Sequence, residues 1–219
     1  MIPIILEELG LHCLGRYLMN ELLLWMQNWS NKHFTIYNVD NPGWRLQVNL
    51  RHTKYKNIKF PTIEIENTEE DWVHCFTREG NFEGAGGSNN LIDILGIFKQ
   101  WTSKCEQELS IDKPLLTEKV QTNELLLKWM QDWYGQHCDG DWEHAEHFII
   151  QSTDDPGWLV SINLEETECE GKEFHSINIK NDKEDRYQCF LDKKKFIGKG
   201  GPKNLIEILT TFKSWVQKL

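Results

Sequence analysis

At 219 residues the chain is long for one small domain and sufficient for two of about 100 residues, each able to bury its own core. A formal net charge of -10 excludes the broad basic face that nonspecific nucleic-acid binding needs, while 39% hydrophobic residues and ten Trp mark a folded chain. The six cysteines (Cys13, Cys75, Cys105, Cys138, Cys169, Cys189) form no CxxC pair and no disulfide framework, which points to reduced thiols and a cytoplasmic location.

The first segment in chain order, Met1 to Leu18, is apolar. It has no basic leader, carries Glu7 and Glu8 near its middle and is too short to span a bilayer, so it reads as an N-terminal extension and not as an export signal or anchor. From Asn20, "NELLLWMQNW" places Leu22, Leu23, Trp25, Met26 and Trp29 at helical spacing. Short alternating runs follow, Phe34/Ile36, Leu46/Val48/Leu50, Ile63/Ile65 and Val73/Cys75, each bounded by turn residues, which predicts about four half-buried strands. Pro42-Gly43 makes a tight connection between the first two. The glycine run "GAGGSNN" from Gly84 lacks both the Walker ending and the dinucleotide-binding spacing. It is expected to be a strand-to-helix turn with Ser88 as N-cap, leading into the helix "NLIDILGIFKQW".

The same order then recurs. "HFTIYNVDNPGWRLQVNL" from His33 lies over "HFIIQSTDDPGWLVSINL" from His147, and the alignment continues without a gap until Trp101 meets Trp215, with 30 of 69 positions identical. A duplication follows: extension 1–18, first domain 19–101, a polar linker 102–122 containing Pro114, and second domain 123–219. The predicted fold class is α+β. Each of the two homologous domains is a short antiparallel β-meander of about four strands covered by an N-terminal and a C-terminal helix. Pro202, beside the second glycine run, is expected near the first helical position.

One stretch breaks the repeat. Copy one passes from Trp29 to His33 in four steps, whereas copy two inserts Tyr134 to Glu146, including "CDGDWEH" at Cys138–His144. Cys138, Asp141, Glu143, His144 and His147 are metal-ligand types, but their spacing matches no tetrahedral zinc pattern and Asp139-Gly140 is a common turn pair. A Cys138 nucleophile with a His144 or His147 base would need a thiolate, and Asp139 and Asp141 oppose one. A third reading is an acidic protein-binding loop formed by Cys138, Asp139, Asp141, Trp142, Glu143 and His144, with Trp142 as the anchor.

Copy two resembles the Imm53 family of bacterial immunity proteins. The residues that carry the resemblance are the Leu-rich helix with Trp129 and Trp133, then Tyr134, the Cys138–His144 stretch, Asp154-Asp155-Pro156-Gly157-Trp158, and Gly198–Gly201 leading to Asn204-Leu205. They cover nearly all of Glu124 to Trp215. Copy one keeps Asp40–Trp44 and its glycine run but lacks the acidic loop. The resemblance implies a cytoplasmic, non-enzymatic protein without a cofactor that binds and blocks a cognate toxin, with no nucleic-acid or membrane partner. The rival readings are a Cys/His- or metal-dependent enzyme centred on Cys138–His147, and a tandem protein-binding scaffold unrelated to toxins.

Charges differ between the copies in a patterned way. Arg51, Lys54, Lys56 and Lys59 align with Glu165, Glu168, Glu170 and Glu173, while Glu66, Glu69 and Glu79 align with Lys180, Lys183 and Lys193. Matched reversals lead to the expectation that segments 51–59 and 165–173 face one another and dock the two domains.

Overall fold

The computed structural model describes residues 19–40, 42–109, 121–144 and 148–219. The first half runs α1 (Met19–Gln27), β1 (Phe34–Val39), β2 (Gly43–Asn49), β3 (Ile63–Glu66), β4 (Trp72–Arg78), β5 (Asn81–Gly87) and α2 (Leu91–Leu109). The second repeats the order as α3 (Gln121–His137), β6 (Phe148–Thr153), β7 (Gly157–Asn163), β8 (Ile177–Lys180), β9 (Arg186–Asp192), β10 (Lys195–Gly200) and α4 (Leu205–Val216). A 3-10 turn at Trp142–His144 stands between α3 and β6. The extension 1–18 and His147 lie outside the described residues.

The expected periodicities place the core. In α1, Leu22, Leu23 and Met26 are buried while Leu24 faces solvent, and Trp29, in the turn that follows, is buried too. In β1, Phe34, Ile36 and Asn38 point inward and alternate with the half-buried Thr35, Tyr37 and Val39. Helices cover that one face in both halves: α2 packs on β2, β4 and β5, and α4 on β7, β9 and β10. Among the described residues, the helices pack on this face and not on the other.

Each half has five strands, not four. The glycine run is itself a strand, with β5 paired to β2 and β4, and β10 to β7 and β9. Glycine disfavours strands, so the run reads as a turn in sequence. It is retained because a helix lies directly on it. A Cβ at Gly84 would stand 2.5 Å from Ile94 Cγ2, and one at the equivalent Gly198 would overlap Ile208. The helices begin after Asn90 and Asn204, not at Ser88 or Pro202. These buried asparagines accept from the backbone N–H of Trp72 and Arg186 and donate to Asp71 and Asp185, which ties each helix start to the β3–β4 or β8–β9 turn.

The two copies do not form separate sheets. All ten strands make one antiparallel sheet in the order β3-β4-β5-β2-β1-β6-β7-β10-β9-β8, joined where β1 pairs β6. The register sets Ile36 opposite Ile150, its own counterpart in the repeat, with Thr35 opposite Gln151 and Tyr37 opposite Ile149. A pseudo-two-fold axis therefore passes through the Ile36/Ile150 pair, and the seam is isologous. Its other contacts obey the same symmetry. Phe34 N donates to Ser152 Oγ (2.9 Å) and Phe148 N to Asn38 Oδ1 (3.0 Å), while the Phe34 ring meets Trp158 at 5.9 Å and the Phe148 ring meets Trp44 at 5.4 Å. The aligned tryptophans Trp44 and Trp158 thus pack across the joint between halves.

This geometry corrects the charge-docking expectation. The pseudo-two-fold puts segments 51–59 and 165–173 at opposite ends of the seam, and their charges are used locally. Arg51 donates to Glu79 O and Lys54 pairs Glu106; Glu165 and Glu170 pair Lys194, and Glu168 meets His137. These reversed charges find their partners inside their own half. The intramolecular contact between copies is real, but it is made by backbone, asparagine, serine and aromatic rings. α2 continues to Leu109, and buried Cys105 and the Tyr55 acceptor Glu106 stand on its last turns.

Candidate functional site

The inserted loop is a capped, locally bonded turn. Asp139 Oδ1 accepts from the N–H groups of Asp141 and Trp142, each at 3.0 Å, and the Glu143 carboxylate accepts from Asp139 N and Gly140 N, also at 3.0 Å. Gly140 holds φ of +104°, a conformation that favours glycine. Cys138 Sγ donates to Tyr134 O, continuing the end of α3. The loop needs no ligand to hold its shape.

Side-chain placement divides the six sequence-selected residues into two groups. Trp142 is 3% exposed and Glu143 2%, so neither is offered to a partner as a free side chain. Trp142 Nε1 donates to Glu165 O at 2.8 Å, and its ring lies against Trp133, His137 and Tyr134. Asp139, Asp141 and His144 are exposed, and Cys138 is half-buried. Trp142 therefore anchors the loop to its own fold, and the exposed carboxylates are what the anchor presents.

Copy one packs the equivalent tryptophan differently. Trp29 stacks on Tyr55 at 5.8 Å, and Tyr55 Oη donates to Glu106 at 2.6 Å. In copy two the position of Tyr55 is Cys169, so the equivalent Trp133 has no tyrosine there. Its ring meets His137 at 4.4 Å and Trp142 at 6.1 Å instead. The inserted loop thus contributes to the aromatic packing of its own half.

The loop also reaches the first half. Glu143 O accepts from Asn38 Nδ2 at 3.3 Å, and Tyr134 Oη accepts from Gly43 N at 3.3 Å while its ring lies 4.5 Å from Trp44. Where the halves meet at this end of the sheet there is a cleft of about 630 Å³. Copy two lines it with Asp132, Gln136, Cys138, Gly140 and Glu143, and copy one with Pro42, Glu69, Glu70, Ser88 and Asn89. Among the described residues, four carboxylates and no cation line this cleft, and one of the four, Asp132, is paired to Lys128 on its own helix. Glu69, Glu70 and Asp132 were not singled out as site residues in the sequence, because only the seam brings the β3–β4 turn beside the C-terminal end of α3.

The catalytic and metal readings gain nothing from this geometry. Burial, with Glu143 and Asp139 adding, pushes the Cys138 thiol up to about 11, although its bond to Tyr134 pulls the other way. A thiol there is protonated at neutral pH. His144 is exposed and stands on the 3-10 turn. Among the described residues no group of three or more His, Cys, Asp or Glu side chains could hold a metal ion, and the five described cysteines are free thiols. No described helix is long and apolar enough to cross a membrane.

Comparison with known families agrees with the duplicated architecture. The family model for Immunity protein 53 (Imm53) matches twice, over residues 23–103 and 127–217. The chain belongs to the Imm53 family. Its members are immunity proteins, typically non-enzymatic, and membership implies a cognate toxin as partner. No curated protein and no solved structure matches the chain. This Imm53 protein carries two family segments in one sheet, and the second alone bears the acidic loop.

Proposed function

We propose that this Imm53 protein neutralises its toxin in the cytoplasm by direct binding, through the acidic cleft where the copy-two loop meets the β3–β4 turn of copy one. The observation that carries this reading is the division of the loop into buried anchors and exposed acids. Trp142 and Glu143 fix the backbone, while Asp139 and Asp141 stand in solvent beside a cleft whose other charged walls are Glu69, Glu70 and Asp132. A one-sign concave surface focuses its field and speeds encounter with a basic partner. The partner surface it fits is a basic one of the toxin, and both halves contribute to the site.

Co-expression with the toxin encoded beside its gene tests this. The wild-type chain is expected to protect growth, and a chain carrying Asp141→Lys and Glu70→Lys is expected to protect poorly while folding normally. Full protection by that variant would remove the cleft from the interface.

A further inference from the structure

The face of the sheet away from the described helices is uneven in charge, and the unevenness follows the duplication. The half-buried Tyr37 and Ile149 lie at the seam, and Leu159 and Ile197 lie beside it on β7 and β10, where copy one has Arg45 and Glu83, paired to each other. At one corner, edge strand β3 points Glu64 and Glu66 outward, both exposed. At the diagonally opposite corner stand Lys180 on edge strand β8, Arg186 on β9 and Lys199 on β10, all exposed, around a trough of about 560 Å³. The register places Lys180 at the position of Glu66 and Lys199 at that of Ala85. Two ion pairs touch these corners, His74 with Glu66 and Arg186 with Asp155. Neither partner is buried enough to remove the charge from the surface.

We infer that this face is the interface of a homodimer, in which the Glu64/Glu66 corner of each chain meets the Lys180/Arg186/Lys199 corner of a second copy. The pseudo-two-fold at Ile36/Ile150 makes the two corners equivalent places of opposite sign. A two-fold axis lying in the plane of the face, close to the strand direction, exchanges them and sets acid on base twice. Face-to-face sheets of this kind pack about 10 Å apart with strands crossing at about 30°. Ten strands about 4.8 Å apart and about 20 Å long offer roughly 900 Å² per chain. A standard stable interface takes about 800 Å² from each partner, so the face is large enough. It is distinct from the toxin cleft, which opens at the end of the strands, so a dimer leaves both clefts free.

Sedimentation velocity of three full-length proteins at low salt tests the assignment. The wild type is expected to sediment with about twice the 25.9 kDa chain mass. Lys180→Glu/Lys199→Glu makes both corners acidic and Glu64→Lys/Glu66→Lys makes both basic, so each alone is expected to be monomeric. All four positions are exposed, and circular dichroism checks that the folds are intact. Mixing the two variants restores both acid-base contacts, so a heterodimer is expected to form about tenfold or more tighter than either homodimer. A monomeric wild type would overturn the proposal and leave the face to a different partner. Variants that still dimerise alone, or a mixture that stays monomeric, would overturn it as well.

Discussion

Trp29 in the first half and Trp133 in the second are the same residue of the repeat, and the two halves cover them differently. The first closes over Trp29 with Tyr55, whose hydroxyl is held by Glu106, itself paired to Lys54. The second has Cys169 in place of Tyr55 and closes over Trp133 with Trp142 from the inserted loop, beside His137 and Glu168. The difference teaches that an insertion can serve the packing of its own half while adding surface to it. Its aromatic residue packs on Trp133, and the backbone fixed in this way holds Asp139 and Asp141 in solvent.

Removing the loop's aromatic residue should have the largest effect. Trp142→Ala deletes a buried indole and a hydrogen bond to Glu165 O, and is expected to cost about 3–5 kcal/mol of stability in urea titration. Toxin protection should fall with it, through loss of the loop's shape. A loss below about 1 kcal/mol would mean that Trp133 does not depend on the insertion. Next comes a test common to both halves. Gly84→Ala and Gly198→Ala each push a methyl into an isoleucine of the overlying helix, and each is expected to cost about 1–3 kcal/mol. Moving the branch of that isoleucine, Ile94→Leu or Ile208→Leu, removes the Cγ2 methyl that the new Cβ meets and should relieve part of the cost if the glycines are present for helix approach.

A smaller effect sharpens the comparison of polar partners. Glu168 accepts from Trp133 Nε1 at 2.9 Å and meets His137 Nε2 at 2.7 Å. Burial pushes its carboxyl up, but these bonds outweigh burial and hold it below the ordinary value of 4.5. A depressed carboxyl stabilises the fold above the unfolded-state value, and that contribution disappears as pH falls through and below about 4.5. Glu168→Gln should therefore cost about 1 kcal/mol or less near neutrality, since the group is partly solvated, and should flatten the acid side of the stability profile. An unchanged acid limb in denaturation from pH 7 to 3 would show that the pair contributes nothing.

Much of this was legible in the sequence. The duplication, the helices at both ends of each copy and the alternating strands follow from identities and periodicity, and the Imm53 resemblance rested on residues that the family model also spans. The fifth strand was hidden because glycine signals turns, and what requires glycine at Gly84 and Gly198 is a helix contact that no local pattern encodes. The seam was hidden for a related reason. Alternation in β1 and β6 says which face is buried but not which strand lies alongside, so two separate sheets fit the sequence as well as one. Charge reversal misled because Arg51, Lys54, Glu165 and Glu168 find partners nearby, within their own half. The site was half legible. The acidic loop stood out, yet the inward orientation of Trp142 did not, although the replacement of Tyr55 by Cys169 in the aligned copy is the signal that could have revealed it.

The central claim is that the exposed acids of the loop and of the β3–β4 turn form one toxin-binding surface built by both halves. Its most direct test is calorimetric titration of the purified toxin domain into the wild type and into Asp141→Lys, Glu70→Lys and the double variant, at two salt concentrations. The account predicts that each single change weakens binding about tenfold or more at low salt, that the loss shrinks as salt rises, and that all four proteins unfold at the same temperature. Wild-type affinity in the double variant would contradict it.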